Sequence, residues 1–65
     1  MTRYTREITE EIYNNAMNNN GYIISADENK IFTMAEMCGY GIYSPKVAKT
    51  ENGYVVNFYM GDSCD

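Results

Sequence analysis

Hydrophobic and polar residues alternate along the last third of the chain, and this alternation predicts a β-hairpin over about residues 42–60. Asn52-Gly53 lies at its centre, and Asn-Gly is the preferred dipeptide of a type I′ turn because both central residues have φ > 0. A two-residue turn at this point predicts the pairs Glu51–Tyr54, Lys49–Val56, Val47–Phe58 and Pro45–Met60. One face of the hairpin is then apolar, and it consists of Tyr43, Pro45, Val47, Val56, Phe58 and Met60.

Near the N-terminus, apolar residues recur at every fourth position, which predicts an amphipathic helix over about residues 5–19. The apolar stripe consists of Tyr4, Ile8, Ile12 and Ala16, and it is widened by Tyr13 and Met17. Thr5 is the predicted N-cap, and the predicted i,i+4 ion pairs are Arg3–Glu7 and Arg6–Glu10. The run Asn18-Asn19-Asn20-Gly21 ends the helix, because glycine and asparagine adopt the left-handed conformation at the C′ position readily.

Two interpretations fit the middle of the chain. The preferred one is a short strand over about residues 22–25 and a second helix over about 27–38, with an inner stripe of Ile31, Met34, Ala35 and Cys38. The alternative is a first hairpin, with strands at 22–25 and 30–32, followed by a shorter helix that starts at Thr33. Taken with the C-terminal hairpin, the preferred pattern predicts a single α+β domain spanning residues 1–65, in the order helix, strand, helix, hairpin.

Pro45 lies inside the first strand of the predicted hairpin. Proline has no backbone N–H to donate to a neighbouring strand, so we expect this strand to be at an edge of the sheet. A chain of 65 residues buries only about 60% of its unfolded surface, which leaves it marginally stable unless something else contributes. Pairing of the hairpin's edge strand with a second copy is one such source of stability.

The composition argues against several classes of protein. The chain contains no histidine, and its two cysteines, Cys38 and Cys64, do not form a spaced set of metal ligands, so we expect no metal and no cofactor. Without histidine there is no Cys-His or Ser-His pair to activate a nucleophile, and we expect no enzymatic activity. Whether Cys38 pairs with Cys64 stays open at this point. Five lysines and arginines, scattered along a chain of net charge −4, also argue against direct binding of nucleic acid.

The hydropathy of the chain predicts a cytoplasmic protein. Its first residues lack the apolar stretch of a secretory signal, and no apolar run approaches the roughly 20 residues of a membrane-spanning helix. We therefore expect reduced thiols and no contact with a membrane.

Two groups of side chains are candidates for a binding surface. Glu7, Glu10 and Glu11, continued by Asn14, lie along one side of the first predicted helix. An acidic helix side is usually an ordinary solvated surface, but carboxylates one turn apart can also imitate a row of phosphates. Seven tyrosines exceed what so small a core can hide, and Tyr40 and Tyr59 are the candidates for exposure. Tyrosine suits protein interfaces, although exposed tyrosines also surround many small cores.

These features predict a small acidic, non-catalytic module that binds a protein with a basic surface. It would occlude a basic groove of a nucleic-acid-handling protein, as small acidic inhibitors from phages and mobile elements do, some anti-CRISPR proteins among them. The first alternative is a structural homodimer that forms through the edge strand of the hairpin. The second is a reduced winged-helix DNA binder, because helix, strand, helix and hairpin occur in that order in the prediction.

Overall fold

The computed structural model describes residues 2–34, 36–37 and 41–61 of the chain. They form five elements in the order β1, α1, α2, β2 and β3. Their bounds are Thr2–Ile8 for β1, Glu10–Met17 for α1, Ser25–Ile31 for α2, Ile42–Thr50 for β2 and Gly53–Met60 for β3. The three strands make one antiparallel sheet in the order β1-β3-β2. The α+β class and the C-terminal hairpin are therefore confirmed, whereas the predicted order of elements is wrong at its start.

The first four residues of the predicted N-terminal helix, 5–8, belong to a strand. β1 pairs with β3 over its whole length, from Thr2 opposite Met60 to Ile8 opposite Tyr54. The sequence pattern misled because residues four apart share one face in a strand as well as in a helix. The helix begins only after Thr9, whose Oγ1 accepts a hydrogen bond from the Ile12 backbone N–H at 3.2 Å. Thr9 is thus the N-cap, and not the predicted Thr5.

The middle of the chain follows neither interpretation fully. Tyr22 makes a single bridge to Lys46 instead of a strand, and α2 covers only Ser25–Ile31. The helix ends because Phe32 leaves it in an extended conformation and enters the core, where it is 4% exposed and meets the Phe58 ring edge-on at 4.9 Å. The second capping box does form, since Thr33 and Glu36 exchange side-chain hydrogen bonds with each other's backbone N–H. Two members of the predicted inner stripe, Ala35 and Cys38, lie outside the described residues.

The hairpin is confirmed, but its register differs from the predicted one by two residues. Thr50 pairs with Gly53 and Val47 with Val56, so the turn residues are Glu51 and Asn52. The Thr50 hydroxyl closes this turn by donating to the Gly53 carbonyl at 3.1 Å. A shift of two residues keeps every side chain on its predicted face. Val47, Val56 and Phe58 are accordingly buried, as the alternation predicts.

An irregularity in β2 corrects the predicted position of Tyr43. The register shifts between Tyr43 and Lys46, and Ser44 has a positive φ of 51°. The extra residue of such a β-bulge reverses the side-chain alternation beyond it. Tyr43 is therefore 37% exposed rather than in the core, and Ile42 packs against the core instead. β2 lies at an edge of the sheet, as Pro45 predicted.

One face of the sheet carries the core. The two helices and Phe32 cover this face, and the buried apolar side chains are Ile12, Ala16, Ile23, Phe32, Val47, Val56 and Phe58. Val56 and Phe58 on the central strand β3 have no exposed surface, and burial of each side chain stabilises the fold by about 1.5–3 kcal/mol. We call the opposite side of the sheet the open face, because none of the described helices packs on it. It presents Arg3, Thr5 and Glu7 of β1, with Asn57 and Tyr59 of β3 beside them.

Candidate protein-binding surface

Four glutamates belong to segments that lie at one end of the sheet, where β1 and the β2–β3 turn end. Glu7 is the next-to-last residue of β1, Glu10 and Glu11 form the first turn of α1, and Glu51 lies in the hairpin turn. The sheet register brings these segments together, because Ile8 at the end of β1 pairs with Tyr54, directly after the hairpin turn. We call Glu7, Glu10, Glu11 and Glu51 the acidic end. Of these four residues, Glu7 lines a shallow depression of about 170 Å³, together with Asn52 of the hairpin turn.

The charges of the acidic end are largely uncompensated. Within the part of the chain that the structure describes, none of these four carboxylates forms an ion pair. Lys49, opposite Tyr54 on β2, is the basic residue nearest to the turn along the chain, and it also has no ion pair with a described residue. Four negative charges against one positive charge leave an electronegative surface that attracts a basic partner.

Glu10 is held in place by Tyr54. The Tyr54 hydroxyl donates to Glu10 Oε2 at 3.1 Å, and the Tyr54 ring lies against Tyr13 with its centroid at 4.5 Å. This hydrogen bond to Glu10, followed by desolvation, raises the pKa of Tyr54 above its ordinary value. The contact joins the start of α1 to β3. It therefore fixes one carboxylate of the acidic end relative to the sheet.

The predicted acidic residues come from adjacent segments at one end of the sheet but do not share one helix side. Glu7 lies on the open face of the sheet, whereas Glu10, Glu11 and Asn14 belong to α1. The predicted ion pairs Arg3–Glu7 and Arg6–Glu10 are wrong, because β1 is a strand and Arg6 pairs with Glu36. Sequence reasoning missed Glu51, since only the sheet register brings the hairpin turn next to the end of β1.

The predicted tyrosines do not extend the acidic end. Tyr59 is 42% exposed on the open face, opposite Arg3 of β1. Along β3 it is four residues from Val55, the partner of Glu7, which corresponds to about 13 Å. Tyr40 lies outside the described residues.

A second depression, of about 380 Å³, lies on the open face and has a different character. Its lining includes two basic side chains, Arg3 and Lys46, and two aromatic ones, Tyr22 and Tyr59. The Lys46 ammonium lies 5.9 Å from the centroid of the Tyr22 ring, at the distance of a cation–π contact. The open face therefore carries two basic side chains at this depression, and the carboxylate of Glu7 near the other end of β1. The sequence does contain an indication of the open face, because Arg3, Thr5 and Glu7 alternate and share one face of a strand. A helical interpretation of these residues does not predict that face.

Two further carboxylates of the described chain, Glu36 and Asp27, have structural partners. Arg6 donates to both oxygens of Glu36, at 3.0 and 2.7 Å, and to the Ile31 carbonyl at 2.7 Å. Its guanidinium also lies over the Phe58 ring, 5.4 Å from the centroid. The Arg6 hydrogen bonds are the main cause that lowers the pKa of Glu36 to about 2, with a smaller contribution from the Thr33 backbone N–H.

Asp27 has an equally complete set of partners. It is 2% exposed, accepts a hydrogen bond from Asn15 at 3.2 Å and forms an ion pair with Lys30 at 3.2 Å. A buried carboxylate with two such partners ties α2 to α1. We therefore assign both Asp27 and Glu36 to the fold rather than to a binding surface.

The described residues contain no group of three or more His, Cys, Asp and Glu side chains that could hold a metal ion. Neither described helix has the length and apolar character of a membrane-spanning helix. Comparison of the chain with protein-family models, with curated proteins and with solved structures gives no match.

Proposed function

We propose that this chain is a small acidic, non-catalytic module that binds a protein with a basic surface through its acidic end. The observation that carries the proposal is that Glu7, Glu10, Glu11 and Glu51 lie in segments at one end of the sheet and form no ion pair with any described residue. Uncompensated charges of one sign that are held by three different segments speed encounter with a surface of opposite sign and fix its orientation.

The mechanism is occlusion of a groove that binds a phosphate backbone. Carboxylates that come from β1, α1 and the hairpin turn at one end of the sheet face several basic side chains of such a groove. The hydrogen bond from Tyr54 orders Glu10 before binding, so less conformational entropy is lost on docking. Asn14, one turn further along α1, adds an exposed amide beside Glu10.

The partner class that fits this chemistry is a nucleic-acid-handling protein. Small size and negative charge are shared with inhibitors from phages and mobile elements, including the anti-CRISPR kind, and we extend the proposal to such a role. The winged-helix alternative depended on a helix at the start of the chain, and β1 occupies that position.

The test has two steps. The first is capture of proteins by the immobilised chain at low and high salt, because an electrostatic complex forms at low salt and is released at high salt. The second is competition between the chain and nucleic acid for each protein captured. We expect a basic protein from which the chain displaces nucleic acid. A captured protein that binds nucleic acid and the chain simultaneously would contradict occlusion, and absence of any salt-dependent partner would contradict the proposal itself.

A further inference from the structure

β1 offers a long strand edge that no described segment covers. β3 pairs with β1 without interruption over seven residues, from Thr2 to Ile8, and β1 lies at the end of the strand order. The strand contains neither proline nor glycine, and its pairing with β3 has no bulge. From Arg3 to Ile8, such an edge leaves backbone N–H and C=O groups available for pairing with another strand.

The opposite edge of the sheet is less available. The Val47 N–H donates to the Gly21 carbonyl at 2.8 Å, and the Ile23 N–H donates to the Pro45 carbonyl at 3.1 Å. The segment around Tyr22 therefore covers the outer side of β2, and the bulge and Pro45 interrupt what is left. Self-association through the hairpin edge, the alternative that the sequence suggests, has less strand to use than association through β1.

We propose that β1 pairs in an antiparallel manner with β1 of a second copy, about a two-fold axis that passes through Thr5. In this register Arg3 lies opposite Glu7 of the second copy, and Glu7 lies opposite its Arg3. Both side chains are on the open face, both are exposed, and neither forms an ion pair with a described residue. Symmetry makes two ion pairs from one complementary pair of charges.

The charges select this register over its neighbours. A shift of the second copy by two residues in one direction places Arg6 opposite Arg6. A shift of two in the other direction places Arg3 opposite Thr5 and leaves Glu7 beyond the start of the described strand. Like charges directly opposite one another destabilise an antiparallel pair, whereas opposite charges stabilise it.

The dimer would be one continuous six-stranded sheet. In this register, odd-numbered residues pair with odd-numbered ones, so paired side chains come from the same face of β1 in both copies. The helices of both copies therefore lie on one side of the sheet, and both open faces lie on the other. The two acidic ends point in opposite directions. In the dimer Glu7 pairs with Arg3 of the second copy, so Glu10, Glu11 and Glu51 are the carboxylates of each acidic end that stay available to the partner that we propose above.

Sedimentation analysis of the full chain over a range of concentrations tests the dimer. We expect a reversible dimer whose dissociation constant rises about tenfold in R3E and in E7R, since each puts two pairs of like charges face to face. The charge-swapped double variant R3E/E7R should recover the affinity. K46E is the matched control, because it reverses a charge on the same face away from β1. A wild-type chain that is monomeric throughout, or single variants that dimerise as well as wild type, would overturn the proposal.

Crosslinking locates the interface independently. In a C38S/C64S background, the T5C variant should form a disulfide across the two-fold axis, because opposed Cα atoms in an antiparallel pair are about 4.5–5.5 Å apart. T50C, at the other edge of the sheet, is the control and should not crosslink. Crosslinking of T50C without T5C would show that the copies meet through β2 and would overturn the assignment to β1. Binding of a basic partner by R3E would show that the acidic end works without the dimer.

Discussion

Arg6 forms its ion pair with a different residue from the one that the surrounding sequence predicts. As a helical residue it would pair with Glu10, four positions later. As a strand residue it points under the helices, where it meets Glu36 and the Phe58 ring. Glu36 is 30 residues away in sequence, so no local pattern could identify this partner. The alternation of charges along β1 is present in the sequence, but it indicates a polar sheet face only once these residues are known to form a strand.

The Arg6–Glu36 pair makes stability depend on acid. The pKa of Glu36 is about 2 in the folded chain and near its ordinary 4.5 in the unfolded chain. A lowered pKa means that the contribution is present above about pH 4.5 and is lost as the pH falls towards 2. We expect E36Q to lower the free energy of unfolding by about 1 kcal/mol at pH 7, because Arg6 remains partly exposed to water.

Urea unfolding at several pH values measures the difference in the free energy of unfolding between the wild type and E36Q. The wild-type and E36Q curves should converge as the pH approaches 2. E28Q is the control, since Glu28 is a neighbouring acidic residue of α2 with no ion pair to a described residue, and we expect no change in stability. A difference between wild type and E36Q that is the same at pH 7 and pH 2 would contradict the assignment.

At the scale of elements, strong patterns were predictable and boundaries were not. The hairpin follows from alternation and a turn dipeptide, and its buried residues Val47, Val56 and Phe58 are those predicted. The turn lies one residue earlier than the Asn-Gly dipeptide predicts, which shifts the strand pairing by two residues, and the Thr50–Gly53 hydrogen bond closes it. The start of α1 was missed because Tyr4 and Ile8 fit a helix and a strand equally well. Pairing with β3 decides between the helix and the strand, and this pairing joins segments that are far apart in sequence.

The position of the N-cap tests the boundary between β1 and α1. We expect T9A to lower the free energy of unfolding by about 1 kcal/mol, because the Ile12 N–H loses its side-chain acceptor. T9D should retain the stability, since aspartate caps equally well and adds negative charge at the helix N-terminus. Thermal unfolding followed by circular dichroism measures both variants. Equal stability of T9A and wild type would place the helix start elsewhere.

At the scale of the whole molecule, one layer of helices covers one face of a three-stranded sheet, and the charges are distributed unevenly. The negative net charge was visible from the sequence, but its concentration at one end results from the folding of three separate segments. The same is true of Arg3 and Lys46, which meet on the open face although they are far apart in sequence. We propose that the acidic end faces a basic protein and that β1 faces a second copy.

The most direct test of the acidic end compares two charge reversals in the affinity for a captured basic partner. Glu11 and Glu28 are both first-turn glutamates of described helices, but only Glu11 belongs to the acidic end. Isothermal titration at low salt should show that E11K raises the dissociation constant about tenfold or more, whereas E28K leaves it within about twofold. If E28K weakens binding as much as E11K, only net charge matters, and the acidic end is not the binding surface.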